Sequence, residues 1–188
     1  MNDMERATPS LRVAAVEDAD QITALEQASI SALFPAFYDE IQTRSAVQYV
    51  AHVDLDLVAD ATYYVLEVGP EIVGCGGWSR RDRLYTGSGD AVGDARLLDP
   101  ATEAARVRAM FVRPDWTRRG LGTRILEACE AAAAVEGFRD LYLVATLAGV
   151  PLYVAYGFRR IEDVEVVTPD GISLSCVSMD KPIARGHG

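Results

Sequence analysis

The sequence lacks the residue patterns that mark metal and redox proteins. Its 188 residues include only three cysteines and two histidines, and neither type recurs at the spacing of a zinc site, a haem attachment site or a redox pair. We therefore expect no bound metal. An odd number of scattered cysteines is typical of a reducing compartment, and Cys75, Cys129 and Cys176 are interpreted as small buried hydrophobes.

Long apolar runs are also absent. No stretch approaches the roughly 18 consecutive apolar residues that a membrane-spanning helix needs. The first residues include Asp3 and Glu5 and contain no apolar segment of the kind found in a signal peptide. The sequence therefore predicts a cytoplasmic protein without a membrane partner.

Positive charge is scarce. Lysine and arginine total 18 against 28 aspartates and glutamates, which gives a net charge of −10. Nucleic-acid binding requires basic side chains that neutralise phosphates, so we expect no nucleic-acid partner. Two interpretations of the acidity stay open, attraction of a cationic ligand and simple solubility.

The most informative segment is 106–126. An apolar strand over 106–112 precedes a short basic loop with two glycines, and an amphipathic helix follows. Gly120 and Gly122 allow backbone N–H groups to approach a ligand, and a helix N-terminus offers unpaired donors and partial positive charge. With the two arginines of the loop beside them, these groups predict a phosphate-binding site.

The spacing of the glycines separates three kinds of phosphate loop. A P-loop needs a lysine after its second glycine, and none follows Gly122. A dinucleotide fingerprint needs a third small residue, and Ile125 occupies that position. The third pattern is Arg/Gln-x-x-Gly-x-Gly/Ala after a strand that ends near a proline. It is the acyl-CoA loop of the GCN5-related N-acetyltransferases (GNAT), which the segment from Val107 to Leu126 resembles.

Two motifs carry this resemblance. The six positions of the loop are occupied by Thr117, Arg118, Arg119, Gly120, Leu121 and Gly122, with Thr117 in place of the usual Arg or Gln. A segment similar to the family's aromatic-Tyr-x-x-x-Gly-Phe motif follows about thirty residues later, at Leu152–Phe158. Leu152 replaces the aromatic residue, and Thr146 replaces an asparagine that many members carry.

The pattern of apolar residues predicts an alternation of strands and helices. Along strand 106–112 it places Val107, Ala109 and Phe111 on one face, and the two arginines with Met110 on the other. Residues 85–100 are predicted to form a long exposed loop. The predicted strands are 11–16, 63–68, 72–78, 106–112, 141–145, 158–167 and 172–179; the predicted helices are 17–33, 39–53, one from 121 that ends near Gly137, and 150–156.

This order matches the GNAT fold. The resemblance implies an α/β (α+β) architecture in which a mixed, mostly antiparallel sheet of six to seven strands is flanked by about four helices. It also implies that two parallel central strands, which end at Val112 and near Ala145, splay apart to admit the pantetheine arm of acetyl-CoA. We find no repeat or linker, so one domain is expected over 1–188, with an ordered core over about 10–182.

The resemblance further implies an enzyme that uses acetyl-CoA as co-substrate. The acetyl group would pass to a primary amine of a small-molecule acceptor by direct attack in a ternary complex. Tyr153 matches the general acid that serves the departing thiolate, with Tyr156 as a second candidate. Backbone amides near Phe111 and Val112 would stabilise charge on the carbonyl oxygen. The predicted cofactor-binding residues are Met110, Phe111, Val112, Arg118, Arg119, Gly120, Leu121, Gly122, Thr123 and Tyr156.

The sequence leaves the general base and the acceptor open. The candidate bases Glu103, Asp39, Glu40 and Asp54 are better explained as solvated surface acids. Arg106 and Arg108 could meet an acidic acceptor, but they are explained equally well as solvated strand positions. The aromatic residues Phe34, Phe37, Tyr38 and Trp78 either wall the acceptor pocket or pack in the core. Two other functions fit the same fold, a non-catalytic acyl-CoA-binding or sensor protein and a protein or peptide N-acetyltransferase. Homodimers are common among relatives, so a homodimer is a further expectation.

Overall fold

The structure is a computed structural model that describes residues 8–83 and 95–184. Seven strands form one sheet in the order β1-β2-β3-β4-β5-β7-β6. All neighbouring strands are antiparallel except β4 and β5, which are parallel. The strands are β1 (Ser10–Val13), β2 (Tyr63–Val68), β3 (Glu71–Ser79), β4 (Ala105–Val112), β5 (Asp140–Thr146), β6 (Arg159–Val167) and β7 (Ser173–Pro182).

Helices cover both faces of this sheet. On one face, the apolar residues of the first helices pack against Tyr63, Cys75 and Leu174. On the other, those of the last two helices pack against Val73 and Leu143. The predicted fold class is therefore confirmed. The helices are α1 (Ala19–Leu33), α2 (Glu40–Tyr49), α3 (Leu55–Ala59), α4 (Leu121–Val135) and α5 (Val150–Tyr156).

The helix predicted over 39–53 is shorter than expected, because α2 ends at Tyr49. The Asp39 carboxylate accepts the Gln42 N–H at 2.8 Å and caps α2. The short helix α3, which was not predicted, follows at Leu55–Ala59. Its N-cap is Asp54, whose carboxylate accepts the Leu57 N–H at 3.2 Å.

The apolar spacing of the first helix predicts a buried face formed by Ile22, Leu25, Ala28, Ser29 and Leu33, and the structure differs from this prediction. Ile22, Leu25 and Ser29 are buried as expected, but Leu33 is 37% exposed. Glu26 and Ile30 are fully buried instead. Because Ile22, Glu26 and Ile30 follow one another at a spacing of four residues, they share the stripe that faces the sheet.

A β-bulge interrupts β4 near its centre. Cys75 of β3 pairs with Phe111, whereas Gly77, two residues later, pairs with Arg108. Two residues of β4 therefore lie opposite the single residue Gly76, which is the pattern of a bulge. Bulges re-aim the side chains that follow them, and this one precedes the end of β4.

The bulge overturns the predicted faces of β4. An extra residue reverses the alternation of side chains beyond it, and Ala109 adopts a left-handed φ of 57°. Val107 and Met110 consequently pack on the side of α4 and α5, while Ala109 and Phe111 pack on the side of α1. Periodicity alone cannot indicate such an insertion.

The three cysteines are buried and free, as predicted. Most of the loop predicted over 85–100 lies outside the described residues. Among residues 8–83 and 95–184, no helix has both the length and the apolar character needed to cross a bilayer.

Candidate active site

A wedge opens between β4 and β5. The two strands pair only through Ala105–Leu141 and Arg106–Tyr142. Beyond these residues β4 continues beside β3, and β5 continues beside β7 as far as Thr146. The strands therefore diverge toward their carboxyl ends, which is the splay that the resemblance implied.

The end of β4 forms one side of this wedge. Residues 109–112, which we call the β4 lip, are all partly exposed. The Arg113 N–H donates to the Val73 carbonyl of β3 at 2.9 Å. Because successive N–H groups of a strand point to opposite sides, the Val112 N–H points away from β3 and into the wedge.

The loop after β4 is fixed around a buried tryptophan. The guanidinium of Arg119 lies 4.6 Å from the centre of the Trp116 ring, and the Thr117 hydroxyl donates to the Pro114 carbonyl at 3.0 Å. Arg118 and Gly120 have left-handed φ values of 62° and 77°. Left-handed backbone costs a non-glycine residue about 1–2 kcal/mol, so the strain at Arg118 indicates that the loop conformation is imposed by its surroundings.

The N-terminus of α4 presents unpaired donors beside this loop. Gly120 precedes the helix, and no side chain among the described residues caps it. Arg124 makes the first intrahelical bond, to the Gly120 carbonyl at 3.1 Å. The N–H groups of residues 121–123 therefore have no intrahelical acceptor, and the exposed side chains of Arg118 and Arg119 lie next to them in the chain. These groups fit an anionic phosphate.

Gly122 has a packing role that the spacing did not reveal. It is buried, and a methyl group on it would lie 2.6 Å from a Leu152 methyl of α5. The glycine thus lets α5 lie close to the start of α4. The two sequence motifs, about thirty residues apart, meet at this contact.

Tyr153 of α5 belongs to the same apolar cluster as two residues of the β4 lip. Its side chain is 8% exposed and belongs to the apolar cluster against which Met110 and Val112 pack. The ring meets Phe158 edge-on at 5.7 Å. Burial, and then the neighbouring Cys129, raise the pKa of the Tyr153 phenol well above its ordinary value, so the hydroxyl stays protonated at neutral pH.

Tyr156, one turn further along α5, is engaged elsewhere. Its hydroxyl donates to Glu130 of α4 at 2.7 Å, and Lys181 binds the same carboxylate at 2.6 Å. Burial raises the pKa of Tyr156 as well, and its hydrogen bond to Glu130 adds to the shift. The Tyr153 hydroxyl does not take part in these contacts with Glu130 and Lys181. Of the two tyrosines, Tyr153 is therefore the better candidate for a hydroxyl that meets the substrate.

Two of the residues interpreted as solvated are buried. Asp54 is 2% exposed and Arg108 is 4% exposed, and their side chains form an ion pair at 2.7 Å. The interpretation of Asp54 as a surface acid and of Arg108 as a solvated strand position is therefore wrong. Of the other candidate bases, Glu103 binds Arg96 at 2.6 Å, and Glu40 is exposed.

Sequence reasoning missed a buried carboxyl group on α1. One oxygen of Glu26 accepts the Tyr63 hydroxyl at 2.9 Å, while the other, Oε2, has no hydrogen-bond partner among the described residues. Burial raises the pKa of Glu26 to about 8. A signal was present in the sequence, because a glutamate between two isoleucines at a spacing of four residues must face the core.

Part of the chain matches the model of a known protein family. A family model described as an acetyltransferase (GNAT) domain matches residues 59–160, more than half of the chain. The chain belongs to the GNAT family. The matched segment contains the wedge, the loop and α5, whereas α1 and α2 precede it.

Solved GNAT structures share the fold at low sequence identity. A GCN5-related N-acetyltransferase from Rhodopseudomonas palustris is 22% identical, with a TM-score of 0.71 over 94% of this chain and 96% of that one. The PaiA N-acetyltransferase of Thermoplasma acidophilum, solved with coenzyme A, is 14% identical, with a TM-score of 0.67 over 94% and 99%. YncA of Salmonella typhimurium, a putative acetyltransferase solved with acetyl-CoA, is 15% identical, with a TM-score of 0.62 over 97% and 98%.

Membership settles the class of co-substrate. GNAT acetyltransferases use acetyl-CoA, so the prediction of acetyl-CoA is confirmed. The wedge and the uncapped start of α4 are the features of this chain that suit an extended thioester arm attached to phosphates.

Proposed function

We propose that the protein is an acetyl-CoA-dependent N-acetyltransferase that acetylates a primary amine of a small molecule while both substrates are bound. One observation carries the proposal. The β4–β5 wedge opens beside the uncapped N-terminus of α4, so that one region offers a slot for the thioester arm and donors for its phosphates. Much of the acceleration would come from holding the two reactants together.

The phosphates are assigned to the loop and the first turn of α4. Arg118, Arg119 and Gly120 are exposed, and Leu121 and Gly122 are buried behind them. The partial charge of the helix N-terminus favours an anion at the N–H groups of this segment. The residues assigned to acetyl-CoA are Met110, Phe111, Val112, Arg118, Arg119, Gly120, Leu121, Gly122, Thr123 and Tyr156.

The Val112 N–H is the donor assigned to the thioester carbonyl oxygen. It points into the wedge because the next N–H, that of Arg113, is bonded to β3. A fixed donor in a site with little water stabilises the negative charge that develops on this oxygen. The same alternation turns the Phe111 N–H toward β3, so the role falls to Val112.

Tyr153 is assigned to the departing sulphur. A free phenol titrates near ~10 and a thiol near ~8.5, and burial raises the pKa of Tyr153 further. Complete proton transfer from the phenol to the thiolate is therefore uphill. We infer that the hydroxyl stabilises the leaving thiolate by donating a hydrogen bond.

Replacement of Tyr153 by phenylalanine tests this assignment. Thiol release from acetyl-CoA would be followed with putrescine, tyramine, ethanolamine and a short peptide with a free N-terminus. Because phenylalanine keeps the packing against Phe158, we expect KM for acetyl-CoA to stay unchanged and kcat to fall about 100-fold. The matched control is Tyr49→Phe, which removes a hydroxyl that accepts a hydrogen bond from the exposed Gln48 and should change kcat only a few-fold.

The outcomes separate the competing functions. Equal kcat for the wild type and Tyr153→Phe would contradict the role of Tyr153. Acetyl-CoA binding without turnover of any acceptor would favour the non-catalytic acyl-CoA-binding protein. Turnover of the peptide alone would favour a protein or peptide N-acetyltransferase.

A further inference from the structure

A cluster of buried polar side chains lies between α1 and the sheet. Glu26, Tyr63 and Cys75 are all fully buried. The Tyr63 hydroxyl is 2.9 Å from Glu26 Oε1 and 3.5 Å from the Cys75 Sγ. These three residues, which we call the Glu26 cluster, come from α1, β2 and β3.

The Glu26 cluster lies directly behind the β4 lip. The Cys75 Sγ is 3.8 Å from the Ala109 carbonyl at the bulge, and Cys75 pairs with Phe111 across the sheet. Ala109 and Phe111 pack on the apolar residues around the cluster, and both are partly exposed. These two residues of the lip therefore connect the Glu26 cluster to the edge of the wedge.

No cation neutralises Glu26 within the part of the chain that the structure describes. The titratable groups that face it are Tyr63, Cys75 and Asp54, and Asp54 is itself paired with Arg108 at 2.7 Å. Glu26 Oε2 accepts no hydrogen bond from the described residues. A buried polar atom without a hydrogen-bond partner costs free energy, and a catalytic role is one of the reasons for which such an atom occurs in a folded protein.

The proposed reaction requires a group of this kind. An alkylammonium ion titrates near ~10, as lysine does, so the acceptor must lose a proton before its nitrogen can attack. We propose, on the basis of the proposed function, that Glu26 is the base that takes up this proton, and that the proton reaches the buried Oε2 through water at the α1 side of the β4 lip.

The acceptor nitrogen loses two protons in this reaction. The ammonium gives one proton to the Glu26 carboxylate, and its electron pair forms the bond from nitrogen to the acetyl carbon. The carbon–sulphur bond breaks, its electrons leave with the thiolate, and the second nitrogen proton passes to that sulphur. Glu26 then releases its proton to solvent, so the products are an amide, a thiol and one proton.

The environment of Glu26 suits this role. Burial is the largest cause of its raised pKa, which lies at about 8; Asp54 adds to the shift, and the hydrogen bond from Tyr63 opposes it. A base works best when its pKa lies close to the working pH. At neutral pH a part of the protein thus holds the ionised carboxylate, which is a stronger base than an exposed glutamate.

The pH dependence of kcat tests the proposal. We would measure thiol release from pH 6 to pH 10 with the best amine of the four-acceptor panel, for the wild type and for Glu26→Gln. The wild type should gain activity through about pH 8 as Glu26 ionises. The activity of Glu26→Gln should not rise with pH in this range, and its kcat should be about 100-fold lower. Its affinity for acetyl-CoA should stay unchanged.

A second variant separates catalysis from folding. Tyr63→Phe removes the hydrogen bond that lowers the pKa of Glu26, so the rise in kcat should move to higher pH, and activity should recover there. A structural role alone would not move this rise. Glu127→Gln, an exposed position of α4, is the matched control and should behave as the wild type.

Each outcome bears on the proposal. An active wild type whose pH profile is shared by Glu26→Gln would overturn the role of Glu26 and leave the proposed function intact. A wild type that binds acetyl-CoA but acetylates none of the amines would overturn the proposed function and, with it, this role.

Discussion

At the scale of single residues, burial raises the pKa of two titratable groups for which we propose different roles. It raises the pKa of the Tyr153 phenol, which keeps this hydroxyl protonated at neutral pH. It also raises the pKa of Glu26, which turns a weak base into a stronger one on the other side of the same strand. Removal from water disfavours the charged form in both cases.

The pH dependence of stability should report the burial of Glu26. Its pKa is about 8 in the folded protein against 4.5 for an ordinary glutamate. Between these values the folded state holds a proton that the unfolded state has released, so stability falls as pH rises through this window. Glu26→Gln has no carboxyl group to ionise at this position, so its free energy of unfolding should not show this fall. Relative to the wild type, its free energy of unfolding should rise by a few kcal/mol from pH 5 to pH 9, at about 1.4 kcal/mol per pKa unit.

Urea unfolding at pH 5, 7 and 9 would measure this difference. Glu127→Gln serves again as the control, because that side chain is exposed. A difference between Glu26→Gln and the wild type that stays constant from pH 5 to pH 9 would show that Glu26 titrates normally, which would contradict the burial described here.

At the scale of secondary-structure elements, the glycines of β3 differ in what they permit. A methyl group on Gly77 would lie 2.6 Å from the Thr62 carbonyl oxygen and 2.9 Å from a Leu57 methyl. A methyl on Gly74 would meet its nearest neighbour, Ile125, at 3.6 Å, an ordinary contact. Gly77 thus allows β2 and α3 to approach β3, whereas a methyl group at position 74 would fit without displacing its neighbours.

The paired substitutions Gly77→Ala and Gly74→Ala test this difference. A backbone carbonyl cannot rotate aside as a side chain can, so we expect Gly77→Ala to lower the free energy of unfolding by about 2–3 kcal/mol. Gly74→Ala should stay within about 0.5 kcal/mol of the wild type. Equal losses in denaturant unfolding would contradict the close approach at Gly77.

Elements with a clear local signal were predictable from sequence. The bounds of β2 and α5 agree with the prediction, because turn residues flank one and Gly157 ends the other. The bulge in β4 was not predictable, because it depends on pairing with Gly76, which is distant in sequence. The start of α3 has a local signal, the N-cap Asp54, which was interpreted as a surface acid. The burial of Asp54 was not predictable, because it depends on Arg108, 54 residues away.

At the scale of the whole molecule, the sheet assembles the site from separate segments. The loop at the start of α4 and the tyrosine of α5 were predictable because the GNAT pattern joins residue types to positions. Glu26 was not, since its proximity to the β4 lip appears only when α1 packs on the sheet. The helix that carries Glu26 precedes the segment that the family model matches.

Calorimetric titration of the purified protein with acetyl-CoA would show whether the wedge and the loop bind this co-substrate. We expect one site with micromolar affinity, competition by coenzyme A, and about tenfold weaker binding for Arg118→Glu, because the loop would then repel the phosphates. Arg44→Glu, at an exposed position of α2, should bind as the wild type does. Absence of binding at millimolar acetyl-CoA would show that the loop is only a structural turn. That result would contradict the assignment of the wedge and the loop to acetyl-CoA.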